Sequence, residues 1–299
     1  MGHRMIDLSK IDAGKPILIY GPTASGKSGL ALKIAEEQGG VIINGDALQG
    51  YQGWPILTAQ PPAQDLARVP HHLYGHLAYD APYSVGDWLR DVAPLLKGAR
   101  PIIVGGTGLY FSALTEGLAE IPLTPAAVRA KADAIALPDL IAALDAETAA
   151  GLDLNNRARV QRAWEVFETT GRTIRHWQEQ TPPPTLPLDA CTALALLPDV
   201  DWLNTRIAQR FDVMMEAGAM TEAEAMSPHW DRNAPSSKAI GAREMIQLLN
   251  GDITPDSARE AIIVATRQYA KRQRTWLRSR MKRWRIVPLP NVDENTLST

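Results

Sequence analysis

Apolar residues gather along this chain in two rhythms. Short unbroken runs stand at Ile17-Leu18-Ile19-Tyr20, Val41-Ile42-Ile43, Pro101-Ile102-Ile103-Val104 and Leu194-Ala195-Leu196-Leu197. Runs of that length without polar alternation predict strands buried on both faces, as in a parallel sheet. Pro198 is expected to end the fourth run, and Ile286-Val287-Pro288-Leu289 predicts a final edge strand. Between the runs the spacing turns helical. Leu30 recurs with Ile34, and Ala31 with Ala35. A second helix opens at Tyr83–Leu89 and reaches about Gly98, with Ser84 or Asp87 as its cap. A third runs from about Asp201 to near Gly218 and carries Arg206 and Arg210 at i, i+4, on one side. Residues 53–85 show little periodicity and predict loops around short elements. Residues 1–15 read as a short leader without clear structure.

The alternation breaks near residue 118. From Pro122 to about Thr185 the chain is rich in Ala and Leu, has helical spacing and carries no strand-like run. Val160, Trp164 and Phe167 share one predicted helix face, Arg159 and Arg162 another, and Arg157 stands at the start of that helix. Gly171 is a natural stop. Thr181-Pro182-Pro183-Pro184-Thr185-Leu186-Pro187 is a stiff linker. The expected organisation is an α/β domain over 1–117 and 188–299, interrupted by an all-helical insertion over 118–187.

At 299 residues and 45% hydrophobic content the chain can bury a real core in one or two domains. Cys191 is the only cysteine, which excludes an internal disulfide and a Cys-based zinc site. Met1–Ile6 holds no apolar stretch of signal-peptide length, and no apolar run approaches the ~20 residues of a membrane span. A cytoplasmic chain with no membrane partner is the simplest expectation. Net charge is −2, so the overall balance says nothing for nucleic acid. His71, His72 and His76 lack further ligands at metal spacing and read as packing or polar histidines.

Candidate chemistry concentrates in Gly21-Pro22-Thr23-Ala24-Ser25-Gly26-Lys27-Ser28. This matches the phosphate-binding loop G-x-x-x-x-G-K-[ST], and it sits where that motif must sit, between a strand and a helix. Its glycines let successive N–H groups aim at one point, and the helix start adds partial positive charge. Lys27 adds a full charge, and the Ser28 hydroxyl can hold a Mg²⁺ ion. A P-loop on a parallel sheet with flanking helices is therefore the expected core. Asp46 follows the second strand, where ligands of such sheets bind, though a helix-capping role fits its spacing equally. Gly105-Gly106-Thr107-Gly108 follows the third strand; it allows close approach of a ligand or is a plain strand-to-helix turn, and alone it favours the turn.

The last helix is expected from Thr266 to Arg285, with nine basic residues and no acidic one. Arg267, Lys271, Arg274, Arg278, Lys282 and Arg285 fall in one stripe, opposite Tyr269, Trp276, Leu277 and Trp284. An apolar back and a single-sign front favour a polyphosphate backbone over a solvated face, which usually mixes signs. The arginines could instead close over phosphates in the loop.

Taken in order, the loop, Asp46-x-x-Gln49-x-Tyr51, Gly105-Gly106-Thr107-Gly108-Leu109-Tyr110, Arg162-Ala163-Trp164-Glu165-Val166, Ile240-Gly241 and Thr266-Arg267-Gln268-Tyr269-Ala270-Lys271-Arg272-Gln273-x-Thr275-Trp276 resemble the tRNA dimethylallyltransferase (tRNA isopentenyltransferase) family over about residues 16–290. The resemblance implies a P-loop NTPase-like α/β fold and transfer of a dimethylallyl group from dimethylallyl diphosphate to tRNA. The acceptor would be the exocyclic amine of the adenine 3′-adjacent to the anticodon, flipped from its stack. It implies Asp46 as base, with Thr107 beside the adenine. It implies Gly21, Pro22, Thr23, Ala24, Ser25, Gly26, Lys27, Ser28 and Arg210 on the diphosphate, Arg206 being Arg210's close neighbour, and Mg²⁺ at Ser28. Implied tRNA contacts are Asp46, Ala47, Leu48, Gln49, Thr107, Arg129, Ala158, Arg159, Val160, Gln161, Arg162, Lys238, Arg243, Lys271, Arg272, Arg274 and Arg278. A monomer is expected, with the helical insertion clasping the anticodon stem. The chain departs from the family pattern at Ala47, where a serine is usual, across 52–61, where two charges are lost, and around Asn156-Arg157.

Two other readings share some of these features. A P-loop small-molecule or nucleoside kinase would need Lys27 but not the cationic helix. A non-catalytic RNA-binding module would need the helix but not an intact Gly26-Lys27-Ser28 with Asp46.

Overall fold

The computed structural model describes Leu8 and residues 11–290. Six strands form one parallel sheet: β1 (Ile17–Tyr20), β2 (Val41–Asn44), β3 (His71–His72), β4 (Pro101–Gly105), β5 (Thr192–Pro198) and β6 (Arg285–Leu289), in the order β3-β2-β4-β1-β5-β6. In register, Ile19 lies beside Val104 on one side and Leu194 on the other. β1 and β4 are buried along their whole length, which is why these runs carry no polar alternation. β6 is the parallel edge strand on β5. Pro198 is the last residue of β5 and lies inside the strand.

The chain divides into two compact units, residues 1–113 with 186–299, and residues 114–185. In the first, a core joins the sheet to the helix Lys27–Gln38 through Ile17, Ile19, Leu30, Ile34, Ile102 and Leu194. A second core joins helices to one another through Trp54, Leu203, Ile207, Phe211, Met245 and Ile262. Leu8 and Ile11 are buried in the sheet core, and Arg100 donates to the carbonyls of Asp12 and Lys15. The described part of the presumed leader is therefore packed structure; residues 1–7, 9 and 10 lie outside the described residues. Ser84 and Asp87 both cap the helix Val85–Leu95, as a reciprocal capping box.

In the second unit, Ala132, Leu140, Val160 and Trp164 form a small core. Phe167, expected on that face, is 50% exposed. Arg157 donates to the carbonyls of Ala132, Asp133 and Ile135, closing the end of the helix Ala126–Ala134. Gly171 ends the helix Arg157–Thr170 in left-handed conformation at φ 67°.

The final helix differs most from expectation. It spans Pro255–Arg280, eleven residues earlier at its start than the cationic run. Thr254 caps it, accepting from the Ser257 amide at 3.2 Å, and Pro255 occupies the first turn. It stops at Met281, so Lys282 and Arg285 leave the stripe: Arg285 begins β6, and Arg283 pairs with Asp189 at 2.7 Å. What ends it is the demand of the sheet, because β6 must run extended beside β5, with Val287 and Leu289 turned inward. Thr254→Ala is expected to lower stability by about 1 kcal/mol, read as a lower urea midpoint with an unchanged slope. An unchanged midpoint would remove this cap from the helix's support.

Candidate active site

Three strand ends are knitted together at one edge of the sheet. The Gly21 amide donates to the Gly105 carbonyl at 3.3 Å, the Gly45 amide to Val104 at 2.8 Å, and the Thr107 amide to Gly45 at 3.3 Å. The phosphate loop leaves β1 here. Gly26 adopts φ 86°, which side-chain-bearing residues avoid, and the helix starts at the next residue, Lys27. Ala24 also takes a positive φ of 62°, so the loop's backbone turns its amides inward as an anion-binding concavity does. Ser25 Oγ is buried in the loop without a hydrogen-bond partner.

A cavity of about 290 Å³ opens beside the loop. Thr23, Lys27, Ser28, Asp46 and Arg210 supply polar lining; Leu48, Leu57, Ile207, Phe211, Met214 and Ile262 supply apolar lining. Burial lowers the Lys27 pKa to about 8; Asp46 opposes the shift and Arg210 adds to it. Burial likewise depresses Arg210, against the pull of Asp46 and with a push from Arg206. Two cations thus face one carboxylate in a poorly hydrated space, an arrangement that gains from a bound polyanion. Arg206, the neighbour on the same helix face, is otherwise engaged: its Nε donates to the Ala24 carbonyl at 2.9 Å and its guanidinium stacks on Trp202.

Asp46 is buried and held from several sides. Its amide donates to Asn44 Oδ1 at 2.8 Å, and the Leu48 amide donates to its Oδ1 at 3.1 Å. Asn44 Nδ2 donates to the carbonyls of Asp46 and Leu73, at 2.8 and 2.9 Å. Thr107 Oγ1 accepts from the Ala47 amide at 2.9 Å and is hydrogen-bonded to Tyr269. Burial, aided by Asp46, keeps the Tyr269 phenol protonated. The long helix therefore touches the site with its inner face. Gln273 completes that face: Oε1 accepts from the Thr23 amide at 2.8 Å and Nε2 donates to the Gly106 carbonyl at 3.0 Å.

The glycines after β4 admit protein. A Cβ on Gly106 would lie 2.0 Å from Gln273 Nε2, and one on Gly108 2.2 Å from Trp276 Nε1. Both openings are filled by the long helix, so close approach is the right reading of that turn, with a side chain in place of a ligand.

The family model for IPP transferase matches residues 49–280, and a second, for isopentenyl transferase, matches residues 15–70. The chain belongs to the IPP transferase family. Among relatives, it is 59% identical to tRNA dimethylallyltransferase of Ruegeria sp., covering 95% of this chain and 99% of the relative. It is 58% identical to that of Dinoroseobacter shibae, over 94% and 97%. Among solved structures, the tRNA isopentenylpyrophosphate transferase of Bacillus halodurans matches with TM-score 0.67 and 31% identity, over 95% of this chain and 92% of that one. A eukaryotic dimethylallyltransferase acting on tRNA matches with TM-score 0.77 over 92% and 73%; at 24% identity that likeness shows the fold.

Within this family member, Thr23, Lys27 and Ser28 of the loop are brought to one cavity with Asp46, Leu48, Gln49 and Arg210, while Thr107 and the other loop residues do not line it. Gln49 is buried there and spends its Nε2 on the carbonyls of Thr58 and Ala59, at 2.9 and 2.8 Å. Lys238, Arg243, Lys271, Arg272 and Arg278 are exposed, and Arg272 lies over the Tyr269 ring at 5.6 Å. Arg274 is half-buried, with Nε and Nη1 unpartnered.

In the helical unit, Arg129 pairs with Glu165 at 3.1 Å and Arg162 bonds Thr124 Oγ1 at 2.5 Å. Gln161 gives its amide to Asp133 and Glu165. Ala158 and Arg159 are exposed, while the Val160 side chain is wholly buried in the unit's core.

Sequence reasoning passed over Asn44 and Gln273. Gln273 carried a readable signal, as a lone amide three residues before Trp276 and four after Tyr269, on the apolar side of a helix. Nothing comparable marked Asn44.

The Lys27 shift has a direct consequence. Protonated Lys27 is a cation, so above about pH 8 it becomes neutral and loses its hold on an anion. Affinity for inorganic diphosphate, measured by calorimetry, is expected to fall as pH rises through that value, and Lys27→Met to abolish the fall. The same pH profile in both proteins would contradict it.

Proposed function

We propose that this chain transfers the dimethylallyl group of dimethylallyl diphosphate to the exocyclic amine of the adenine 3′-adjacent to the anticodon in tRNA, giving isopentenyladenosine and diphosphate. The observation that carries the reading is a single cavity with two characters, cations with the phosphate loop and an apolar wall of Leu57, Ile207, Phe211 and Met214, plus one buried carboxylate. A nucleotide kinase would need the first character without the second or the cationic helix.

The loop of Gly21, Pro22, Thr23, Ala24, Ser25, Gly26, Lys27 and Ser28 takes the diphosphate with Arg210, which lines the cavity, whereas Arg206 is spent on the Ala24 carbonyl. Negative charge grows on the diphosphate as the allylic C–O bond breaks, and Lys27, Arg210 and the loop amides stabilise it. Asp46 accepts a proton from the adenine amine as the new C–N bond forms, the electron pair of the broken bond leaving with diphosphate. The Leu48 amide on its Oδ1 sets the carboxylate's orientation. Thr107 sits at the adenine and is oriented by Ala47 and Tyr269.

Among the described residues no three His, Cys, Asp or Glu side chains gather as a metal cage. The Ser28 hydroxyl beside a diphosphate site is the donor set a Mg²⁺ ion accepts, since that ion takes few protein ligands and several phosphate oxygens. Bound there, it would neutralise part of the leaving group's charge.

tRNA lies along the outer face of the long helix at Lys271, Arg272, Arg274 and Arg278, with Lys238 and Arg243, and with Ala47, Leu48 and Gln49 beside the reacting base. Arg129, Ala158, Arg159, Gln161 and Arg162 supply the helical unit's contacts, the last four from one helix. The chain works as a cytoplasmic monomer; among the described residues no helix is long and apolar enough to cross a membrane.

Asp46→Ala is expected to keep tRNA affinity and lose at least about 10²-fold in single-turnover transfer; a near-normal rate would remove Asp46 from the base role. Arg274→Ala and Arg278→Ala are expected to weaken tRNA binding and each to reduce the slope of log affinity against log salt by about one. Unchanged slopes would place the RNA elsewhere.

A further inference from the structure

We infer that Gln273 is a positioning residue that fixes the spacing between the leaving-group loop and the base; the inference rests on the transfer reaction above. Gln273 is 4% exposed and lies in the long helix between the exposed Arg272 and the half-buried Arg274. Its carboxamide spends one atom on each of two loops. Oε1 accepts from the Thr23 amide of the phosphate loop at 2.8 Å, and Nε2 donates to the Gly106 carbonyl at 3.0 Å. Its main-chain carbonyl accepts from the Tyr20 hydroxyl at 3.0 Å, and burial holds that phenol in its donor form. The residue is thus tied to β1, to the loop after β1 and to the turn after β4.

The Gly106 turn leads straight to the base. Thr107, the next residue, binds the Ala47 amide through Oγ1 at 2.9 Å, and a Cβ on Gly106 would sit 3.2 Å from Asp46 Oδ2 as well as 2.0 Å from Gln273 Nε2. Thr23, on the other side, lines the cavity next to Lys27. One planar amide of fixed length therefore spans the donor's diphosphate loop and the turn that carries the base's neighbour. Only an amide satisfies both ends, because the Thr23 amide needs an acceptor and the Gly106 carbonyl needs a donor. A methionine of similar size satisfies neither, and a glutamate satisfies only the first.

Gln273 does not line the cavity and touches no reacting atom. Its loss should let the two loops drift by about an ångström while each keeps its own ligand contacts. That misalignment lowers the rate of a step needing both ends in register, without lowering affinity for either substrate; displacements near 1 Å cost about 10²-fold in such steps.

The test compares wild type, Gln273→Met and Gln273→Glu in single-turnover transfer at saturating tRNA and dimethylallyl diphosphate. Separate titrations measure inorganic diphosphate and an anticodon stem-loop. Cooperative thermal melting checks the fold. Gln273→Met is expected to lose about 10²-fold in rate while both dissociation constants stay within about threefold of wild type. Gly106→Ala pushes a methyl into the same contact and reports independently if Gln273→Met does not fold. Combined in one chain, the two changes should cost no more than the larger alone. A wild-type rate in Gln273→Met, or a fall in diphosphate affinity that accounts for the whole rate loss, would overturn the positioning role. No transfer by wild type would instead overturn the reaction on which it rests.

Discussion

All six strands run the same way, so the chain leaves β1, β2 and β4 along one edge of the sheet. This parallel constraint puts the phosphate loop, Asp46 and the Gly106-Thr107 turn within reach of one another although they lie far apart in sequence. Strand ends alone would leave three loops free to move. Amide-to-carbonyl bonds between Gly21 and Gly105, and between Thr107 and Gly45, tie them pairwise. The long helix then closes the edge, with Gln273 and Trp276 packed into space that glycines leave open and Tyr269 hydrogen-bonded to Thr107.

The electrostatics follow from that burial. Lys27 and Arg210 are both pushed toward neutrality by desolvation, and Asp46 opposes that push in part. Such a site holds cations at some cost and is relieved by a diphosphate. It also keeps a carboxylate close to that diphosphate without a guanidinium clamped on it, since Asp46 Oδ1 is bonded to the neutral Leu48 amide. The long helix has two faces with two tasks: Tyr269 and Gln273 inward on the loops, Lys271 and Arg278 outward in solvent.

Much of this was legible in the sequence. The apolar runs gave the strands because parallel strands are buried on both faces, and the phosphate loop declared itself by motif and flanks. The capping pair Ser84 and Asp87 was equally readable. Expectation failed where tertiary demand outranked local pattern. The cationic run suggested a helix to Arg285, but pairing with β5 takes residues from Arg285 into a strand. Residues 8 and 11–15 lack periodicity and yet pack, through two apolar side chains and carbonyls that Arg100 reaches from elsewhere in the chain. Arg206 differs from Arg210 by a hydrogen bond to the Ala24 carbonyl, which helical spacing cannot show. Glycines after β4 signalled close approach, but what approaches them is Gln273, some 167 residues later.

The central claim is that one cavity joins an allylic diphosphate to an adenine amine of tRNA. The most direct measurement is to incubate the protein with Mg²⁺, labelled dimethylallyl diphosphate and unmodified bacterial tRNA, then digest the RNA and separate the nucleosides. The account predicts label in isopentenyladenosine, absent when Lys27 is replaced by Ala. An unlabelled digest, with ATP consumed and a small molecule phosphorylated in its place, would contradict it.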